Sequence, residues 1–203
     1  MSRALRSVPA VVAVSEGRNG ARSSSIGRVT VKFTGQRQEE LFAAVGCGGA
    51  EPVLMALNPE FYELIWQGQK THEFRRRFLH DRRVRWFVYL NAPVSRLAAV
   101  IDLGPAIVDV PERIAAIAEA TRAGNGASVL AYVRDLDRAF AIPILRVREY
   151  PGVPADELRA ELGSFHPPQG YVRLAQHQSL LAVCDRMAAG APVRELRVHP
   201  REY

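Results

Sequence analysis

The sequence predicts an α+β fold, a small mixed β-barrel decorated with helices. The predicted strands are short and are joined by breaks in the chain, not by regular helical crossovers. Their order is strand, helix, three strands, two helices, strand, helix, strand, helix, and the hydrophobic content of 48% is sufficient for a sizeable core. We expect an N-terminal extension over residues 1–50, one folded domain over residues 51–190, and a polar, loose C-terminal tail over residues 191–203.

The N-terminal extension differs from the rest of the chain in composition and charge. The stretch from Arg18 to Gly27 is rich in Gly, Ser and Arg, which is typical of a flexible linker. Residues 1–50 carry seven basic and three acidic side chains, whereas residues 51–203 carry 20 and 18. The predicted domain is therefore nearly balanced in charge, and any attraction for phosphate must come from local clustering.

The first elements of the domain have clear boundary signals. Val53 to Leu57 is apolar and predicts a short buried strand. Asn58 and Pro59 predict a helix start, with Asn as the capping residue and Pro in the first turn, and Gly68 predicts the stop. The next strand is expected from Thr71 to Arg77.

Later elements follow from apolar runs and breaks. Trp86 and Tyr89 lie in a dense apolar run, so the core is favoured over a binding surface for them. Ser128 is the expected cap of one helix, and Pro143 indicates a sheet edge or a bulge. The remaining strands are expected at 85–91, 96–103, 140–150 and 170–174, and the helices at 111–122, 128–136, 154–162 and 177–188.

A short segment after the first helix concentrates charged side chains. The chain holds two lysines, Lys32 and Lys70, among 27 Lys and Arg residues. Lys70 can be a solvated side chain, a phosphate contact or an acid/base group. Glu73 and Arg75 lie two residues apart on one strand face, so they can form a structural ion pair or line a cleft.

This segment resembles the ASCH domain, a branch of the PUA-like fold. Gly68, Lys70, Glu73 and Arg75 match the motif G-x-K-x-x-E-x-R after a strand and an Asn-Pro helix start. The runs 88–94, 97–104, 139–150 and 167–171 resemble later segments of the family, so the resemblance covers roughly residues 52–188. It implies a β-barrel with a cleft beside the helix that precedes the motif.

The resemblance also implies a function, because relatives bind RNA and some bind modified nucleotides. One branch hydrolyses N4-acetylcytidine with a lysine, a threonine and a glutamate. Lys70 matches that lysine, but Glu73 occupies the position of the threonine, and Thr71 would point differently along the strand. This departure argues against that hydrolase activity.

An arginine-rich run follows the motif, opposed within it only by Asp81. Such a run is either a solvated loop or a surface that follows a phosphate backbone. Trp66, near the end of the preceding helix, is the best candidate for base stacking. The predicted RNA- or nucleotide-binding residues are Trp66, Lys70, Thr71, Glu73, Arg75, Arg77, Asn91, Gln169 and Tyr171.

Three functions remain open on this basis. The first is a non-catalytic domain that binds RNA or a nucleotide. The second is an enzyme of the same fold, a nucleoside amidohydrolase or a ribonuclease, with Lys70 and Glu73 as catalytic groups. The third is a regulatory interaction domain that binds no nucleic acid.

Several functional classes are not expected. The histidines and the two distant cysteines form no metal-binding spacing, no Gly-rich phosphate loop is present, and no cofactor is implied. No apolar run reaches membrane-spanning length. The apolar stretch from Val8 to Val14 is short for a signal peptide and lacks a clear cleavage site, so a cytoplasmic protein is expected.

Overall fold

A computed structural model describes residues 49–200 of the protein. They belong to one compact unit, Gly46–Tyr203. The expected extension therefore lies outside the described residues, apart from its last two positions. No helix within residues 49–200 is both long and apolar enough to cross a membrane.

The described residues form a mixed sheet that curls into a half-barrel, with five α-helices, which confirms the predicted fold class. The strands are β1 (Glu51–Leu57), β2 (His72–Arg75), β3 (Val84–Leu90), β4 (Arg96–Leu103), β5 (Ile107–Asp109), β6 (Ala139–Pro154), β7 (Tyr171–Arg173) and β8 (Arg194–Arg197). The helices are α1 (Pro59–Trp66), α2 (Pro111–Thr121), α3 (Asn125–Val133), α4 (Ala155–Leu162) and α5 (Gln178–Ala188).

The long strand β6 organises the sheet. The strand order is β2-β6-β4-β3-β1-β7, and β5 and β8 also pair with β6. The pair β1–β3 is parallel, and the other pairs are antiparallel. The first residues of β6 pair with β2 and β5, whereas its later residues pair with β4 and β8. The edge strand β2 is thus joined to the sheet through β6 alone.

Burial on both faces of the sheet explains the continuous apolar run in β3. Trp86 and Val88 belong to a core cluster on one face with Tyr62 of α1, whereas Phe87 and Tyr89 belong to a second cluster with side chains of α4 and α5. Trp86 is fully buried, and its Nε1 donates a hydrogen bond to the Met55 carbonyl at 3.1 Å. The expectation that Trp86 and Tyr89 are core residues is confirmed.

Two local expectations about helix caps are wrong. Asn58 precedes α1 in extended conformation, but its side chain makes no capping bond, because its Oδ1 accepts from Asn91 Nδ2 at 2.8 Å instead. The helix expected to start at Ser128 starts at Asn125. A carboxylate from α2, that of Glu119, accepts the backbone N–H groups of Gly124 and Gly126 and so satisfies the start of α3 in place of the expected serine.

The expectation of a loose C-terminal tail is wrong over residues 194–197. These residues form β8, which pairs with residues 146–149 of β6. The Arg194 guanidinium lies 2.8 Å from the Glu149 carboxylate and 3.2 Å from that of Glu63. Residues remote in sequence therefore hold a segment whose local composition indicated a tail.

Gly152 provides a test of the packing between β6 and β4. Its φ is +83°, and a Cβ at this position would lie 2.6 Å from the Leu97 carbonyl oxygen. We expect Gly152→Ala to lower the free energy of unfolding by about 2 kcal/mol or more, because backbone strain adds to a clash with backbone. Urea unfolding measures this change. Gly170→Ala is the control, since nothing lies within 4 Å of that Cβ, and equal effects of the two substitutions would contradict the prediction.

Candidate functional site

A cavity of about 390 Å³ lies beside α1, where the motif begins. One wall comes from α1, the floor comes from β2 and the residues before it, and the other wall comes from the end of α2 and from α3. The lining residues are Leu57, Phe61, Leu64, Gln69, Lys70, His72, Glu73, Phe74, Thr121, Arg122, Asn125, Ser128, Val129 and Tyr132.

The end of α1 brings the motif lysine to the floor of this cavity. Gly68 has a φ of +71°, which a glycine adopts without a steric penalty. The backbone N–H groups of Gln69 and Lys70 then turn back to the Leu64 carbonyl, at 2.8 and 3.0 Å. The chain reverses within a few residues, so Lys70 enters the cavity just before β2 begins.

Glu73 is the centre of a three-residue charge cluster, which we call the Glu73 cluster: Lys70, Glu73 and Arg75. Lys70 Nζ lies 2.9 Å from Glu73 Oε2, and Arg75 Nε lies 2.9 Å from Glu73 Oε1. The three side chains are 15%, 7% and 17% exposed. Burial alone would raise the pKa of Glu73, but the two adjacent cations hold it below its usual value. Glu73 is therefore ionised at neutral pH.

His72 is a neutral neighbour of this cluster. It is 1% exposed, its ring stacks on Phe74, and its Nδ1 lies 3.0 Å from Thr71 Oγ1. Burial, together with the positive charge of Lys70, lowers the pKa of His72 to about 4. The cavity floor thus combines an ionised carboxylate, an ammonium group and an uncharged imidazole.

Two of the residues predicted from the sequence, Lys70 and Glu73, line the cavity in the structure. Thr71 and Arg75 are their neighbours, and both contact lining residues without lining the cavity themselves. Arg77 is exposed just beyond the end of β2. The role of these three residues in binding stays a prediction.

The other candidate residues lie outside the cavity lining. Trp66 packs beside the core, and the guanidinium of Arg194 lies 4.1 Å from the centre of its ring, so that face is covered. Asn91 bonds Asn58 across the start of α1, and Tyr171 packs edge to face on Phe78. Gln169 is exposed. A binding role for these residues also stays a prediction.

Twelve of the fourteen lining residues were missed by sequence reasoning, among them Phe61, Arg122, Asn125 and Tyr132. Phe61 lies in α1 and is 41% exposed. The other three belong to the segment from the end of α2 through α3, far from the motif in sequence. Arg122 Nη2 donates to Asn125 Oδ1 at 3.0 Å. An aromatic residue on each of two helices was the available signal in the sequence, but only the structure shows that both side chains line one cavity.

The arginine-rich run after the motif is partly neutralised by distant carboxylates. Arg76 forms two hydrogen bonds to Asp135, both of 2.6 Å, and Arg82 lies 3.7 Å from Glu51. Arg83 and Arg85 are exposed and have no ion pair within residues 49–200. Ion pairs therefore interrupt the run, and its role in following a phosphate backbone stays a prediction.

The fold is recognised by comparison with solved structures. No family model and no curated protein matches the chain. The solved structure of ASCH from Zymomonas mobilis is 22% identical, with a TM-score of 0.52, and the match covers 66% of this chain and 95% of that one. Two variants of the same protein, with serine replaced by alanine and with tyrosine replaced by phenylalanine, match at TM-scores of 0.53 and 0.51. The chain therefore has the fold of an ASCH domain.

Proposed function

We propose that the cavity binds a nucleotide, either free or as part of single-stranded RNA, and that the protein acts by recognition. The observation that carries this proposal is the Lys70–Glu73 pair, which lies on the floor of a cavity of about 390 Å³. Ligand sites in proteins typically begin at about 300 Å³ and combine apolar walls with a few polar groups. A single nucleotide matches both the size and the lining.

The Lys70–Glu73 pair presents a donor beside an acceptor. The Lys70 ammonium has three N–H donors, and the ionised Glu73 carboxylate only accepts hydrogen bonds. The edges of nucleobases carry N–H donors and carbonyl or ring-nitrogen acceptors side by side. The pair can therefore bind such an edge by two hydrogen bonds while Lys70 and Glu73 remain in contact with each other.

Arg122 is the best candidate for the phosphate. Lys70, the other cation of the cavity lining, is already beside a carboxylate, whereas the partner of Arg122 is the neutral Asn125 amide. No carboxylate within residues 49–200 lies within ion-pair distance of Arg122. Its positive charge is thus available to an anionic group, in the fork geometry that suits phosphate.

We expect Arg122→Ala to weaken nucleotide binding about tenfold or more, because a charge-assisted hydrogen bond is lost. Lys70→Met is expected to weaken it to a similar degree by removing the donor to the base edge. Fluorescence anisotropy with a labelled short single-stranded RNA measures the Kd, and unlabelled nucleoside monophosphates serve as competitors. The assay uses the full chain and is titrated with salt, since phosphate contacts make binding salt-dependent.

The matched control for Arg122→Ala is Arg159→Ala. Arg159 is an exposed arginine of α4, a helix that packs on the other face of the sheet, and the change in net charge is the same. Every variant keeps the basic residues 1–50, so non-specific attraction is constant across the series. Equal effects of Arg122→Ala and Arg159→Ala would contradict the proposal, and no binding by any form would favour the interaction-domain alternative.

The hydrolase alternative is supported by one observation. Lys70 and Glu73 are in contact, and neutral His72 lines the same cavity, so a proton acceptor and a cation are both present. The lowered pKa of Glu73 argues against its service as a general acid. This alternative is tested by chromatography of the binding samples after prolonged incubation, which detects any hydrolysis product. It requires that wild type forms product and that Glu73→Gln does not.

A further inference from the structure

Two exposed aromatic side chains line the same cavity. Phe61 is 41% exposed and Tyr132 is 46% exposed, and both belong to the cavity lining. Within residues 49–200, every other tryptophan, tyrosine and phenylalanine is buried or half-buried. A single exposed aromatic needs no explanation, but these two come from α1 and α3, and both line one cavity.

Tyr132 is held in place by the side chain of Arg76. Arg76 Nη1 donates to the Tyr132 carbonyl at 2.6 Å, and the guanidinium lies 5.8 Å from the centre of the tyrosine ring. The same guanidinium forms two hydrogen bonds to Asp135. The end of α3 is thereby attached to the residue that follows β2. An aromatic side chain on a fixed backbone loses less entropy when it binds a ligand.

The polar and aromatic groups of the cavity are complementary to different parts of one ligand. Phe61 and Tyr132 offer apolar ring surface, whereas Lys70 and Glu73 on the floor offer a donor and an acceptor. A nucleobase has two apolar faces and a polar edge, which is the same division. Stacking on aromatic side chains tolerates any base, because every base has a π-face.

On the basis of the function proposed above, we propose that one unpaired nucleobase stacks between the rings of Phe61 and Tyr132, with its edge directed at Lys70 and Glu73. The cavity takes a single base, since its volume of about 390 Å³ leaves no room for a stacked duplex. A base inside a duplex is excluded because its faces are already stacked. The ligand is a free nucleotide or an unpaired residue of RNA, and the two sources share this base.

The test uses 2-aminopurine, a base whose fluorescence falls when it stacks on an aromatic ring. The two probes are 2-aminopurine riboside 5′-monophosphate and a short single-stranded RNA with 2-aminopurine at its centre, each titrated with the full chain. Wild type is expected to quench both probes. Phe61→Ala and Tyr132→Ala are each expected to raise the Kd about 5- to 100-fold and to reduce the quenching of bound probe.

Conservative variants and a remote variant serve as controls. Phe61→Tyr and Tyr132→Phe retain the rings and are expected to bind and quench like wild type. Val193→Ala removes a side chain that is 66% exposed and lies next to β8, and it is expected to have no effect. Because Phe61 and Tyr132 are exposed, their alanine variants are expected to unfold at the wild-type urea concentration, which separates a binding effect from misfolding.

The outcomes distinguish this inference from the proposed function. If Phe61→Ala and Tyr132→Ala bind and quench like wild type while Arg122→Ala and Lys70→Met lose affinity, stacking between the two rings is overturned and the proposed nucleotide site remains. If wild type binds neither probe, both are overturned. Competition by double-stranded RNA as effective as that by the single strand would also overturn the inference. If Phe61→Ala and Tyr132→Ala raise the Kd of one probe only, the inference is supported and that probe identifies the source of the base.

Discussion

Glu73→Ala is expected to lower the free energy of unfolding by about 3–5 kcal/mol, because it leaves two partly buried cations without their shared carboxylate. Lys70 and Arg75, each 2.9 Å from Glu73, are only 15% and 17% exposed. Their positive charges would then repel each other in a poorly hydrated site. Urea unfolding followed by circular dichroism measures the change.

Two variants sharpen this prediction. Glu73→Gln keeps the shape and one acceptor oxygen, so it is expected to be less destabilising than alanine. Glu195→Ala removes another glutamate paired with an arginine, but the Arg146–Glu195 pair is 36% and 32% exposed, and little change is expected there. If Glu73→Ala lowers the free energy of unfolding no more than Glu195→Ala does, the prediction is wrong. The Glu73 cluster would then contribute no more to stability than an exposed ion pair.

The stability of the protein is expected to fall as the pH is lowered from about 6.5 to about 4, because the pKa of His72 in the folded state is about 4. In this window the unfolded chain binds a proton at this histidine and the folded chain does not, so acid favours unfolding. A shift from 6.5 to about 4 corresponds to a loss of about 3 kcal/mol at most.

The contribution of Glu73 appears at lower pH. Its folded-state pKa lies below the usual value, so its stabilisation is complete above about pH 4.5 and is lost as the pH falls through the folded-state value. Urea unfolding between pH 7 and pH 3 resolves the two windows. His72→Gln is expected to flatten the upper window, and Glu73→Gln the lower one. His166→Ala removes an exposed histidine as the control, and an unchanged slope in His72→Gln would disprove the assignment of the upper window.

Much of the architecture near the motif was predictable because its signals are local. The Asn58-Pro59 pair and Gly68 bound α1 in the sequence and in the structure. The apolar run around Trp86 predicted a buried strand, and β3 is one. Short strands separated by breaks predicted the mixed barrel. Steric limits of proline and glycine and the burial of apolar side chains act within a few residues, so the sequence shows them directly.

The elements that were missed depend on partners remote in sequence. The short strand β5 and the C-terminal strand β8 exist because β6 offers them hydrogen bonds. The start of α3 depends on Glu119 from α2. None of these interactions has a local pattern, since a strand edge or a carboxylate acquires a partner only after the chain has folded.

The fold class and the Lys70–Glu73 half of the candidate site were predictable from the amino-acid sequence. Those two residues follow one glycine stop and lie within one turn and strand, so their proximity is a matter of spacing. The other half, Phe61, Arg122 and Tyr132, comes together only in the folded protein. The packing of α2 and α3 against the first residues of β6 and beside β2 brings Arg122 and Tyr132 to the cavity that Phe61 borders. An amphipathic sequence shows that a helix buries its apolar side. The position of that helix on the assembled sheet determines which residues lie opposite its exposed side chains.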